Sequence, residues 1–194
     1  MPAIIVCGLA MRESRHSEPH GAVATARHYI RDLVYGANDG IITTFAVVAG
    51  VTGGELSARA VLIVGVANVL ADGLSMGVGN YLSIRAHESA LAAEARPEEE
   101  SQPARHGLAT FLAFVAAGLM PLAPYVVPGA DGVRFVTSTV LTLVALFTVG
   151  ASRAIVTTDR WWSAGLEMSV LGVVVAGVAY GSGALIATAF QIPG

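Results

Sequence analysis

Long stretches of this chain carry no charge at all: 61–70, 111–127 and 170–178 are almost uninterrupted runs of apolar or small residues. A helix needs about 20 predominantly apolar residues to cross the hydrocarbon core of a bilayer. A chain of 194 residues therefore holds at most a handful of spans and short loops, with no room for a separate soluble domain. Charged residues make up 13% of the sequence, about half the ~25% usual for soluble domains. An all-α integral membrane protein is expected, and an ordinary soluble enzyme is excluded.

Five spans are expected, over 33–54, 58–84, 107–127, 133–156 and 163–190, giving a 33–190 transmembrane domain behind a 1–32 amino-terminal segment. Residues 12–32 are rich in His, Arg and Glu and read as water-exposed, with a surface helix from Ala22 onward. Met1 to Met11 are apolar but lack a basic start, so they form a poor signal peptide. Residues 87–106, holding Glu88, Glu94, Glu98, Glu99 and Glu100 with Pro97 and Pro103, read as a short, acidic, loosely ordered loop.

The arginines set an orientation. Arg12, Arg15, Arg27, Arg31, Arg85, Arg96, Arg105, Arg153 and Arg160 fall on one side of the expected spans, and only Arg59 and Arg134 on the other. Nine against two places the amino terminus in the cytoplasm and the carboxyl terminus outside. His16, His20, His28, His87 and His106 fall on the cytoplasmic side too. One cysteine, Cys7, excludes an internal disulfide framework or a multi-cysteine metal site. The lack of a basic patch argues against a nucleic-acid partner.

Three acidic residues lie within or at the ends of apolar spans: Asp39, Asp72 and Glu167. Each would cost about 2.5–3.5 kcal/mol facing lipid at a helix centre, so each needs a partner, a cavity or a proton. Glu167, near a boundary, can reach headgroups or Arg160. Asp72 belongs to the series Asn68, Asp72, Met76, Asn80, spaced by four. On a helix such residues form a slowly drifting stripe about 18 Å long, enough to line most of a pathway. Carboxylate and amide oxygens suit hard cations, whereas the Met76 thioether is soft and cannot hold a proton; together they favour a borderline divalent transition metal. Packing is the commoner use of a lone methionine on a membrane helix.

Asp39 is flanked by Asn38 and small residues. Gly36 and Gly40, like Gly73 and Gly77, are four apart, which predicts close approach of the first two spans to each other or to a partner subunit. A twofold dimer would double every ligand and complete a site that so small a chain cannot enclose. The cluster His16-x-Glu18-x-His20 resembles a loose metal-ligand set, but Pro19 interrupts it and it reads as a solvated segment. Ser75 stands in Gly73-Leu-Ser-Met-Gly77, but inside an apolar span rather than at a strand-to-helix turn, and no histidine lies in a span to act as base, so no enzyme activity is expected.

The stretch Arg31-Asp-Leu-Val-Tyr-Gly-Ala-Asn-Asp-Gly-Ile-Ile-Thr-Thr-Phe-Ala-Val-Val-Ala-Gly50, followed by Gly65-Val-Ala-Asn-Val-Leu-Ala-Asp-Gly-Leu-Ser-Met-Gly77 and Tyr81-Leu-Ser, resembles the vacuolar iron transporter family. The likeness is dense over about 31–85 and softer beyond, where it rests on Gly165-Leu-Glu-Met168 and the five-span count. It implies a homodimer of five-helix subunits with an axial path lined by the first two helices. Through that path Fe²⁺, in some members Mn²⁺, leaves the cytosol in exchange for protons, with the metal as substrate and no cofactor. Asp39 matches the family's pore aspartate, Met76 its pore methionine, and Asn68 and Asp72 polar positions of the second-helix motif. Asp72 is the expected proton-coupled carboxylate, since burial favours its neutral form and a bound metal its ionised form.

The same likeness implies the inner membrane of a bacterium or the vacuolar membrane of a eukaryote. This chain departs from it in the second loop, where plant and yeast members carry a long Glu-rich metal-binding domain. A non-transporting scaffold or metal sensor is the alternative for a chain without that domain.

Overall fold

The computed structural model describes residues 21–155 and 160–190. Their helices, in chain order, are α1 (Ala22–Gly53), α2 (Ala58–Ala93), α3 (Pro103–Gly118), α4 (Ala123–Val126), α5 (Asp131–Ser152) and α6 (Trp161–Phe190), with a 3₁₀ turn at Arg153–Ile155. No strand occurs among the described residues. The residues 12–20, including His16, Glu18 and His20, lie outside them.

Four of these helices are long and apolar enough to cross a bilayer: Arg27–Gly53 within α1, then α2, α5 and α6. The side chains facing outward are of the same kind. Leu70, Leu74 and Val78 on α2 and Val173, Val178 and Leu185 on α6 are all exposed. So large an apolar surface belongs in lipid or against another subunit. The protein is an all-α integral membrane protein.

The helices differ in extent from the expected spans. α1 does not begin as a separate surface helix; it runs unbroken from Ala22 through the first span, and Asp32, read above as water-exposed, is buried at 2% exposure. α2 continues to Ala93, and its 36 residues make a rod about 54 Å long, well beyond a hydrocarbon core of about 30 Å. The acidic loop thereby shrinks to 94–102, and it is pinned. Glu88 Oε1 accepts from the backbone N–H groups of Glu99 at 3.1 Å and Glu100 at 2.8 Å, and Arg96 lies against Glu94 and Glu99.

The third expected span is in two pieces. Pro121 has no N–H and its ring clashes with the carbonyl four residues back, so α3 stops at Gly118 and α4 restarts after a turn. Ser138 Oγ of α5 donates to the Pro121 carbonyl at 2.7 Å, satisfying a backbone acceptor that the break leaves open.

The glycine pairs seat α3 rather than joining α1 to α2. A Cβ on Gly36 or Gly40 would run into the carbonyl oxygens of Thr110 or Phe114, and one on Gly77 would sit 2.8 Å from that of Gly107. Gly73 abuts Phe114, Val115 and Phe111. At these glycines the close approach is to α3, a wedge whose backbone touches both spans, while α1 and α2 also meet directly, as where Phe45 and Val48 cluster with Val61 and Val69. Phe114, fully buried, fills the centre of this wedge.

Thermal unfolding in detergent tests the wedge. Gly107→Val, whose Cβ would meet the Gly77 carbonyl at 2.5 Å and Tyr81 at 3.1 Å, is expected to lose about 1–3 kcal/mol or more. Gly79→Ala, with nothing within 4 Å, should melt at or slightly above the unmodified protein.

Candidate functional site

Four polar residues on α1 and α2 stand where apolar side chains would be expected: Asn38, Asp39, Asn68 and Asp72. Asp39, Asn68, Asp72 and Met76 are all partly buried. Asp39 and Asp72 lie close enough for their charges to act on each other. The Asp39 carbonyl is occupied by the Thr43 hydroxyl, which donates to it at 2.8 Å. Asn38 Oδ1 and Asn68 Nδ2 are buried with no hydrogen-bond partner, as is Thr44 Oγ1 further along α1. Unsatisfied amides inside an apolar bundle are costly, at about 1–3 kcal/mol each. This part of α1 and α2 is thus built around groups that the subunit itself leaves unsatisfied.

The stripe divides at its last member. Asn80 Nδ2 donates to Asp32 Oδ1 at 2.9 Å and to Thr110 Oγ1 at 2.8 Å, so Asn80 belongs to a junction of α1, α2 and α3. There Asp32 Oδ2 faces His106 Nδ1 at 2.5 Å, and the Thr110 hydroxyl also reaches the His106 carbonyl at 3.0 Å. Asp32 and His106 are 2% and 4% exposed.

Sequence reasoning missed both of these residues. The sequence pattern sets Asp32 one residue before the first span and His106 among the histidines of the cytoplasmic side. The available signal was the spacing of four that puts Asp32 on the face of Gly36 and Gly40.

Glu167 is not drawn into the bundle. Its side chain is 73% exposed, and its ion-pair partner is Arg153, at 3.8 Å, rather than Arg160. Arg160 instead stacks on Trp162, 5.6 Å from the ring centroid, in the manner of residues at a membrane–water boundary.

Such a chain, with carboxylates, amides and a thioether set into apolar helices, is a polytopic membrane protein with a polar intramembrane site. The sequence profile of the VIT family matches it over residues 30–102 and 90–184, and the chain belongs to that family.

A protein of Toxoplasma gondii named vacuolar iron transporter is 28% identical, over 88% of this chain and 78% of its own length. Proteins named vacuolar iron transporter 1 from Eucalyptus grandis and Arabidopsis thaliana are 25% and 27% identical, over 86% and 85% of this chain and 89% and 88% of theirs. The Toxoplasma alignment extends over 237 positions, more than the 194 residues of this chain, so that relative carries inserted residues.

Replacing Asn80 by Leu removes the amide that both Asp32 and Thr110 face. The expected outcome is a loss of about 1–3 kcal/mol in detergent unfolding, with Thr110→Val costing less in the Asn80→Leu background than alone because the two share one bond, its bond to the His106 carbonyl being lost in either case.

Proposed function

We propose that this protein carries Fe²⁺ across its membrane, out of the cytosol and in exchange for protons, along a path lined by α1 and α2. The observation that carries this reading is the group of buried, unsatisfied polar atoms on those two helices beside Asp39, Asp72 and Met76. A permeating divalent ion would engage the oxygens among them, Asn38 Oδ1 and Thr44 Oγ1, with Asp39 and Asp72 supplying charge, Met76 a soft sulfur and Asn68 its side-chain oxygen rather than the Nδ2 donor. Asp72 serves as the proton-coupled carboxylate. The names of the relatives support iron as substrate.

The path is completed by a second copy of the chain. Asp39, Asp72 and Met76 are only partly buried, so one subunit leaves this polar side of α1 and α2 open. A twofold axis on that side would double the ligands, while Leu70, Leu74 and Val78, about 200° round α2 from Asn68, Asp72 and Met76, face away from it. In this reading 33–190 is the transport domain, 1–32 is a cytoplasmic segment, and the carboxyl terminus lies on the far side. The excess of arginines at one end supports that orientation. The membrane is the inner membrane in a bacterium and the vacuolar membrane in a eukaryote.

Liposomes holding the purified protein and an Fe²⁺-sensitive dye test the reading. Fe²⁺ flux should accelerate when a proton gradient opposes it, and Asp39→Ala or Met76→Ala should each lower the rate at least tenfold. Equal flux in both variants would sink the site assignment, and flux indifferent to the gradient would remove the coupling. Adding Mn²⁺ to the same assay measures preference, because these ligand types accept either ion.

A further inference from the structure

The junction below the stripe holds a set of side chains that the transport reading does not use. His28 on α1, Glu100 in the 94–102 connection and His106 on α3 bring one ligand atom each within 4.8 Å of one another. His106 Nε2 is 2.9 Å from Glu100 Oε2, and His28 Nε2 is 3.5 Å from the same oxygen. A metal bonded at about 2.1 Å spaces its ligands about 3.0 Å apart in octahedral geometry and about 3.4 Å in tetrahedral geometry. The two separations bracket that range.

Each ligand is held from behind. Asp32 engages His106 through Nδ1, which leaves Nε2 as the nitrogen on the Glu100 side. This nitrogen is buried and makes no hydrogen bond, although the carboxylate lies 2.9 Å away. The two donor atoms therefore meet side by side rather than head-on, the disposition of ligands that share a third position, and a cation there would satisfy both.

Glu100 is fixed by its other oxygen, since Oε1 accepts from the Gln102 N–H at 3.0 Å and Oε2 turns toward the imidazoles. The rings of His28 and Tyr29 pack against His106 with centroids 4.9 and 4.7 Å away. A cavity of about 580 Å³ opens onto all three ligands, with Glu88, Glu99 and His87 on its wall. Arg31, also on that wall, has its guanidinium 3.8 Å from Asp32.

We propose that His28, Glu100 and His106 bind one divalent transition-metal ion, with Asp32 as the positioning residue behind His106. Two imidazole nitrogens and one carboxylate with open positions form a donor set suited to Fe²⁺ and to neighbouring first-row ions. Asn80 bonds to Asp32 and is the last member of the stripe, so the ion sits at one end of that stripe. A role as the station where an ion waits before entering the path rests on the transport reading; the binding itself does not.

The test is Co²⁺ binding, followed by its visible absorption, to metal-stripped full-length protein in detergent. An Asp39→Ala/Asp72→Ala/Met76→Ala background removes the charged and sulfur ligands of the path. In that background one Co²⁺ equivalent per chain is expected, with nitrogen-ligand absorption. Both His28→Ala and Glu100→Gln, which alter less buried positions than His106, should weaken binding more than tenfold. Binding that persists unchanged in these two variants, or no bound equivalent in the background protein, overturns the proposal in favour of a proton-bridged ion pair. Co²⁺ binding without Fe²⁺ flux in liposomes would instead count against the transport reading alone.

Discussion

Backbone-to-backbone contact between helices is possible only where side chains are missing, and α3 depends on that contact on two sides at once. Its Thr110 and Phe114 carbonyls lie over Gly36 and Gly40 of α1, and its Gly107 lies over Gly77 of α2. Lipid tails are as apolar as leucine, so a membrane bundle gains little from hiding greasy surface and relies on close packing and buried polar bonds. The wedge supplies the first and the Asp32–Asn80–Thr110–His106 junction the second. With α3 packed against both, α1 and α2 hold their polar faces in a fixed relation. Everything attributed to Asp39, Asp72 and Met76 presupposes that relation.

The fold class and the positions of the intramembrane carboxylates were legible in the sequence because lipid imposes a simple rule: an apolar run spans, and a charge within it needs an explanation. The spacing of the α2 stripe was legible for the same reason. What could not be read was which helix each small residue would face. Gly36, Gly40, Gly73 and Gly77 announce close approach without naming the partner, and the partner is a third helix that sequence distance hides.

Asp32 and His106 were hidden by a different effect. A charged residue beside Arg31 looks like the end of a span, and a histidine beside Arg105 looks like a loop. Their burial follows from pairing across 74 residues of sequence, which no local pattern reports. Asn80 was read as the fourth rung of a pathway because helical period alone cannot distinguish a lining amide from a bracing one. The break at Pro121 was available in principle, since proline removes a helical bond, but the surrounding apolar residues concealed it.

The short connection at 94–102 has a consequence for how such chains vary. Glu88 near the end of α2 binds the backbone of Glu99 and Glu100 just ahead of α3, so the last part of the connection is clamped to α2 and only 94–98 is left between helix end and clamp. A splice point with fixed, neighbouring ends accepts any self-contained module whose own termini are close, and gives it up again without moving the helices on either side. The two segments of this chain that the family profile matches overlap at 90–102, across this connection. Length at 94–98 can vary while the clamp keeps the flanking helices in place.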